Sequence, residues 1–261
     1  MIGYGTLMST ELVREFIAAR DARRPHRPPS ESRPLALDEA YRCQDRLREQ
    51  LLARGARLAG WKAGFTTSAA QEANGLPEPA SAFLLAGDVF PSGAEIPVAR
   101  FVGLAVEAEI AFVLRRDLAG PGVTAAHAAA AVEGATPALE LIDRRYTGKP
   151  TGADIVAEGV YANAIVLGGA LTPIQGLDLA LEGLVFEQSG VVVATNTAAE
   201  VMGNPLNSLA WIANHLGRRG LGLRAGDVAM TGSVSKVLTP KAGDTVRATC
   251  TRLGGVAVRF V

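Results

Sequence analysis

The chain has 261 residues, 48% of them hydrophobic, enough to bury a large core and too apolar for a disordered polypeptide. Its 26 basic side chains balance 26 acidic ones, so no long-range field draws nucleic acid or an anionic membrane, and a small-molecule partner is expected. Cys43 and Cys250 form no CxxC pair and no disulfide framework, which fits a cytoplasmic setting; the N-terminus has no signal-like pattern, and no apolar run is long enough to span a bilayer.

Ser9 is placed to cap a helix in which Leu12, Val13, Phe16 and Ile17 recur at helical spacing. Asp38 is placed to cap a second one through Ala40, Leu47 and Leu51 that stops at Gly55. Between them the proline-broken, basic stretch from Arg20 to Ser30 reads as a solvated connector, so residues 1–57 form an N-terminal helical region. From Leu58 the texture changes to short apolar or alternating runs separated by Gly, Pro and Asp, which predicts a β-rich part over 58–261. Two helices interrupt it, Thr124 to Val132 and Asn204-Pro205 to Leu216, and hairpins are expected at Gln188-Ser-Gly190 and Gly254-Gly255.

Within Leu104 to Leu114, an otherwise apolar strand, period-two geometry puts Glu107 and Glu109 on one face, roughly 7 Å apart along the strand. Two acids in such a strand must reach solvent, share a proton, meet Lys or Arg, or bind a cation. Glu140, between leucines in the run Pro137 to Asp143, supplies a third carboxylate, and three carboxylates with open positions describe a Mg²⁺ or Mn²⁺ site. The plainer reading is an edge strand whose glutamates face water.

Lys62 sits in Gly60-Trp-Lys-Ala-Gly-Phe65, where flanking glycines let a backbone approach something closely. A buried lysine there holds a substrate carboxylate, shuttles a proton or offsets the glutamates; otherwise it snorkels to the surface past Trp61. Met230-Thr-Gly-Ser-Val-Ser-Lys236 offers N–H groups and hydroxyls for an anion-binding turn at Thr231, Gly232 and Ser233. His26, His127 and His215 have no partner in view, which argues against a histidine triad or a zinc site. Nucleophile-elbow, P-loop and dinucleotide-loop motifs are absent.

Taken in order, GWKAGFTT, LAVEAEIAFVL, PALELIDRRY, NPLNSLAWIANHL, MTGS and the closing LGGVAVRFV resemble the 2-hydroxypenta-2,4-dienoate hydratase and 4-oxalocrotonate decarboxylase group of the fumarylacetoacetate hydrolase superfamily. The resemblance runs from about Ala40 to the C-terminus. It implies an α+β fold, with an N-terminal helical part on a mixed, strongly curved β-sheet or roll that forms the catalytic domain. It also implies Mg²⁺ or Mn²⁺ at Glu107, Glu109 and Glu140, an active-site lysine at Lys62, and a homo-oligomer, with a pathway decarboxylase or hydratase as a candidate partner.

The implied reaction is hydration of a 2-hydroxy-2,4-dienoate in degradation of an aromatic or related ring compound, with Lys62 and Asp88 managing protons or anchoring the carboxylate. Asp88 follows a glycine, so a turn residue is its plainer reading. Decarboxylation of a 4-oxalocrotonate-like diacid is the alternative, for which Arg144 and Arg145 are candidate partners of the second carboxylate. Hydrolysis of an acylpyruvate and a non-catalytic subunit are further readings. Where the family carries an Asp-Asn pair and a serine, this chain reads Ala157 to Gly168 without them, so Glu158, Tyr161 and Asn163 are candidate replacements in the pocket.

Overall fold

A computed structural model describes residues 4–261. Helices α1 (Tyr4–Ala22) and α2 (Leu37–Ala53) precede strand β1 (Leu58–Gly64). There follow α3 (Ser68–Asn74), β2 (Ala80–Leu85), β3 (Val89–Pro91), β4 (Ala94–Ile96), β5 (Leu104–Leu114), α4 (Ala125–Ala131) and β6 (Val132–Asp143). The chain ends with α5 (Gly152–Ala157), β7 (Ala162–Leu167), β8 (Gly183–Gln188), β9 (Val191–Thr197), α6 (Pro205–Arg218), β10 (Val228–Ser233), β11 (Thr245–Cys250) and β12 (Gly254–Phe260).

The strands make two mixed sheets, of order β2-β1-β10-β5-β6-β7-β3 and β4-β12-β11-β8-β9. This is the α+β class expected. Both helices expected in the β-rich part are present, capped by Thr124 and Asn204. The sequence pattern passed over α3 and α5, which have seven and six residues and so show too few turns for a periodicity. Their signals were the caps instead: Thr67 accepts from the Ala70 N–H, and Thr151 and Asp154 form a capping box.

Several boundaries shift. Helix α1 already runs from Tyr4, so Ser9 lies inside it rather than capping it. Asp38 lies in the first turn of α2, whose cap is Ala36, and there its charge suits the helix dipole. The β8–β9 hairpin turns at Ser189-Gly190 as expected, whereas Gly254 already opens β12 and the turn before it is Thr251 to Leu253. The connector is only partly solvated, because His26 is buried and bridges to Tyr146. Val13, Phe16, Ala40, Cys43 and Leu47 from the two N-terminal helices share one apolar cluster with Trp61, Phe112 and Phe186.

Gly60 answers the question posed by its neighbours. Its φ is +147° and a Cβ there would stand 1.9 Å from the Val228 carbonyl oxygen, so only glycine lets β1 lie parallel against β10 at this point. That pairing sets Lys62 opposite Met230 and fixes where its side chain emerges.

Candidate metal centre and active-site cavity

Four adjacent strands, β1, β10, β5 and β6, carry the residues singled out in the sequence. Antiparallel pairing of β5 with β6 places Glu107 directly opposite Glu140, and alternation puts Glu109 on the same face. The ladder between β10 and β5 shifts register between Met230 and Ser233. At that bulge Gly232 has φ +109°, and its N–H donates to Glu109 Oε2 at 2.8 Å. A Cβ on Gly232 would meet Thr66 at 2.6 Å.

One carboxylate oxygen from each of Glu107, Glu109 and Glu140 lies within 4.8 Å of the others. Lys62, buried, hydrogen-bonds Glu140 Oε2 at 2.9 Å and stands 2.7 Å from Oε1 in an ion contact too bent to be a hydrogen bond. Glu109 Oε1 and Glu140 Oε1 are therefore buried without a hydrogen-bond partner. With every group ionised, three carboxylates less one ammonium leave two negative charges, which is the charge a divalent cation brings. The donor set is all oxygen, as Mg²⁺ and Mn²⁺ prefer. The orphaned oxygens and the charge balance fit such an ion.

The electrostatics point the same way. Burial, then Glu140, pushes the Glu107 carboxyl up to about 7, with Lys62 and Arg144 pulling it back. The same two causes hold Glu109 well above the ordinary carboxylate range. Burial alone pulls the Lys62 ammonium down; Glu140, Glu109 and Glu107 more than reverse this and hold it above its usual value. Without a cation, these two carboxyls bind more protons in the folded protein than in the unfolded chain between the usual carboxylate range and about pH 7, so their contribution to stability falls as pH rises through that window. A divalent cation competes for the same carboxylates and binds better as they ionise. Thermal unfolding with EDTA and with Mg²⁺ at pH 5.5 and 7.5 is expected to show a larger metal-induced rise at pH 7.5. A rise that is larger at pH 5.5 contradicts a carboxylate site.

Above these groups opens a cavity of about 700 Å³, with Lys62, Glu107, Thr66 and Ser233 near its floor and Ile142, Val160 and Tyr161 on its walls. Phe65, Val160 and Tyr161 line it with φ of +55°, +53° and +57°, a left-handed conformation that is rare for bulky residues and tends to persist at functional sites. Gly159 precedes the last two with φ +98°, so a run of three left-handed residues leads from α5 into β7.

What holds that turn is a buried ionic cluster that sequence reasoning missed. Arg145 donates to both Glu158 and Asp143. Arg20 donates to the Glu158 carbonyl at 2.9 Å, and His26 Nε2 lies 3.4 Å from Glu158 Oε1. Burial opposes ionisation of Glu158, but Arg145 and His26 outweigh it and keep the carboxyl below its usual value. The cluster is thus a charged clasp from α1 and the connector onto the cavity wall.

Not every expected residue reaches the cavity. Lys62, Glu107 and Ser233 line it, with Glu109 and Glu140 beneath. Thr231 is buried and committed elsewhere, its hydroxyl donating to the Ile110 carbonyl and its own carbonyl accepting from Ser208. Gly232 gives its N–H to Glu109, so the anion-binding turn serves a protein carboxylate. Asp88 stands apart, just before β3, and β3 is at the far edge of the seven-stranded sheet from β1; Asp88 pairs with Arg100 and is not in this cavity. Of the altered segment, Tyr161 lines the cavity, Glu158 sits behind it, and Asn163 bonds Asp143 and Arg100 instead. Arg144 lines the cavity, whereas Arg145 belongs to the buried clasp. The histidines do have partners: His26 meets Glu158, His215 lies against Glu78 and Trp211, and His127 joins the Thr124 capping box. None of the three lines the cavity.

Fold and site together define a mixed-sheet α+β protein whose central strands gather carboxylates and one lysine beneath a deep cavity. The chain belongs to the fumarylacetoacetate hydrolase family: residues 59–261 match the model described as fumarylacetoacetate (FAA) hydrolase C-terminal. It is 32% identical over 237 residues, 90% of each chain, to a 4-oxalocrotonate decarboxylase of Pseudomonas putida. It is also 32% identical over 234 residues to a 2-oxo-hept-4-ene-1,7-dioate hydratase of Escherichia coli, covering 87% of this chain and 88% of the relative. The solved 4-oxalocrotonate decarboxylase from Pseudomonas putida G7, complexed with magnesium and adipate, superposes with a TM-score of 0.94 at 29% identity over 98% of both chains. Among the described residues, no helix is long and apolar enough to cross a membrane.

Proposed function

We propose that the protein is a divalent-metal-dependent lyase that hydrates a 2-hydroxy-2,4-dienoate to a 4-hydroxy-2-oxo acid. The observation that carries this reading is the convergence of Glu107, Glu109 and Glu140 with Lys62 under one cavity, with the buried Glu109 Oε1 left without a hydrogen-bond partner. Glu107, Glu109 and Glu140 hold Mg²⁺ or Mn²⁺, which supplies Lewis-acid polarisation of the 2-oxo acid head. The magnesium in the solved decarboxylase and the hydratase among the relatives support the assignment.

The chain's own groups do the rest. Lys62, charged and fixed by Glu140, is the proton-bearing group at the floor and holds the proton needed at the substrate carbon as the diene is converted to the conjugated 2-oxo-enoate. Ser233 faces the same space, with its hydroxyl donating to the Ser235 carbonyl at 2.8 Å and so shaping the turn at the cavity's edge. Val160 and Phe65 keep bulk water from the hydrocarbon part, so that water adds where the wall admits it. Residues 58–261 carry the catalytic part, and 1–57 brace it through Arg20 and His26. In the homo-oligomer that the family resemblance implies, the edge strand β9, exposing Val191 and Val192, is an apolar surface available for contact.

Decarboxylation of a 2-oxo diacid is the second reading, favoured by Arg144, an exposed cation lining the cavity. Purified protein with Mg²⁺ is expected to consume the diene absorbance of a 2-hydroxy-2,4-dienoate without releasing carbon dioxide. Carbon dioxide release from a 4-oxalocrotonate-like substrate, with no hydration, decides for the decarboxylase.

A further inference from the structure

We infer that Tyr161 is a further catalytic residue: its phenol hydroxyl holds the water that adds to C4 of the enoate. This rests on the reading of the protein as a hydratase and assigns the group that fixes where the second reactant stands.

The left-handed run Gly159-Val160-Tyr161 brings two consecutive bulky side chains onto one cavity wall, where an extended backbone would turn them to opposite sides. The sheet fixes their place: the Tyr161 carbonyl accepts from the Asp143 N–H at 2.9 Å, and Asp143 lies ~10 Å along β6 from Glu140. This wall reaches the floor. A Cβ on Gly64 would meet Val160 Cγ1 at 2.8 Å and Lys62 Nζ at 3.7 Å, so the valine and the ammonium flank the same point. Arg144 acts electrostatically on both Glu107 and the Tyr161 phenol, which brings the phenol within range of the same floor.

Tyr161 is half-buried in this wall, and among the described residues its hydroxyl has no hydrogen-bond partner. By contrast, Tyr146 donates to the Asp154 carbonyl and Tyr41 accepts from the Ser81 N–H. A tyrosine ring packed among apolar neighbours turns its hydroxyl to a polar partner, and here that partner is in the cavity. Val160, Ile142 and Ile155 beside it hold no water, and Arg144, Lys149 and Lys236 can only donate. The phenol both donates and accepts, so it takes a hydrogen bond from a water and turns the water's lone pair toward the substrate. Burial, then Glu158, pushes the phenol up to about 12, so it stays protonated and orients the water without acting as a base. C4 lies two carbons beyond the C2 of the head held at the floor, so the group that orients water must stand off the floor, as Tyr161 does. In the addition the water oxygen bonds to C4, the C3–C4 π pair takes up a proton at C3, and the proton lost by the water replaces the one delivered to C3. Tyr161 is unchanged at the end.

The test compares full-length wild type and Tyr161→Phe, both loaded with Mg²⁺, in two assays. Formation of the 4-hydroxy-2-oxo acid from a 2-hydroxy-2,4-dienoate reads water addition. Exchange of the C3 protons of 2-oxopentanoate with D₂O, followed by NMR, reads the floor without any water addition. Phenylalanine keeps the ring and the backbone preference, so the variant is expected to exchange within about twofold of wild type, while its kcat for hydration falls about 100-fold at little changed KM. Hydration near the wild-type rate in the variant overturns the inference. Equal losses in both assays overturn it as well, since they assign the hydroxyl to the shape of the wall or to the floor. Wild type that exchanges without hydrating refutes the hydratase reading itself, and wild type that does neither refutes the 2-oxo acid site; both results are read before the variant and are distinct from a failure of Tyr161.

Discussion

Replacing Glu107 with glutamine is expected to lower Mg²⁺ affinity more than about 100-fold, because loss of an outer-shell partner alone costs 10- to 100-fold and Glu107 is proposed as a direct donor. Turnover falls with it, since the 2-oxo acid head then lacks the charge that polarises it. Glu107 is the right position for this test. It faces the cavity and is only partly buried, so the amide is accommodated without disturbing the β5–β6 ladder. Glu109 is tied to Gly232, and changing it also disturbs the β10 bulge. Calorimetric titration of Mg²⁺ checks the result independently of any substrate. A Glu107→Gln protein that binds metal as wild type does and turns over normally removes the metal centre from consideration.

Lys62→Met is expected to do two separable things. In EDTA it removes the only cation among the described residues that contacts Glu140 and leaves buried carboxylates uncompensated, a loss of about 3–5 kcal/mol and a midpoint lowered on the order of ten degrees. Adding Mg²⁺ restores part of that stability, because the ion takes over the charge compensation. Activity does not return with it. If Lys62 holds the transferred proton, turnover stays at least about 100-fold below wild type in saturating Mg²⁺. Lys62→Arg keeps the charge and loses the single compact donor, so it is expected to recover stability better than rate. Near-normal turnover in stable, metal-loaded Lys62→Met assigns Lys62 to charge compensation alone.

The floor was legible because strand geometry is local. Glu107 and Glu109 stand out as acids at period two in an apolar run, and the antiparallel return through α4 brings Glu140 opposite Glu107. Lys62 was legible through its glycines, whose close approach to β10 the structure accounts for at Gly60. The place of Asp88 outside this cavity was not legible, because it depends on strand order, and nothing near it in sequence says that β3 pairs with β7 at the sheet's edge. The surroundings of Thr231 and Gly232 were hidden for a related reason. Their polar groups are satisfied by Ile110, Ser208 and Glu109, partners that only the fold identifies. The clasp of Arg20, His26, Arg145 and Glu158 was beyond reach, since each is an ordinary charge in its own segment and acquires meaning only through distant pairing.

Arg20 and Glu158 lie 138 residues apart in the chain. A contact of that span carries a loop-closure cost, and on a growing polypeptide α1 exists long before the segment it clasps. The floor needs β1, β10, β5 and β6, whereas the wall at Val160 and Tyr161 is also braced by the first helix. The pairing of β1 with β10 beneath the floor joins segments still farther apart, Gly60 with Val228, so on a growing polypeptide the partner of the first helix is made before the last strand of the metal site.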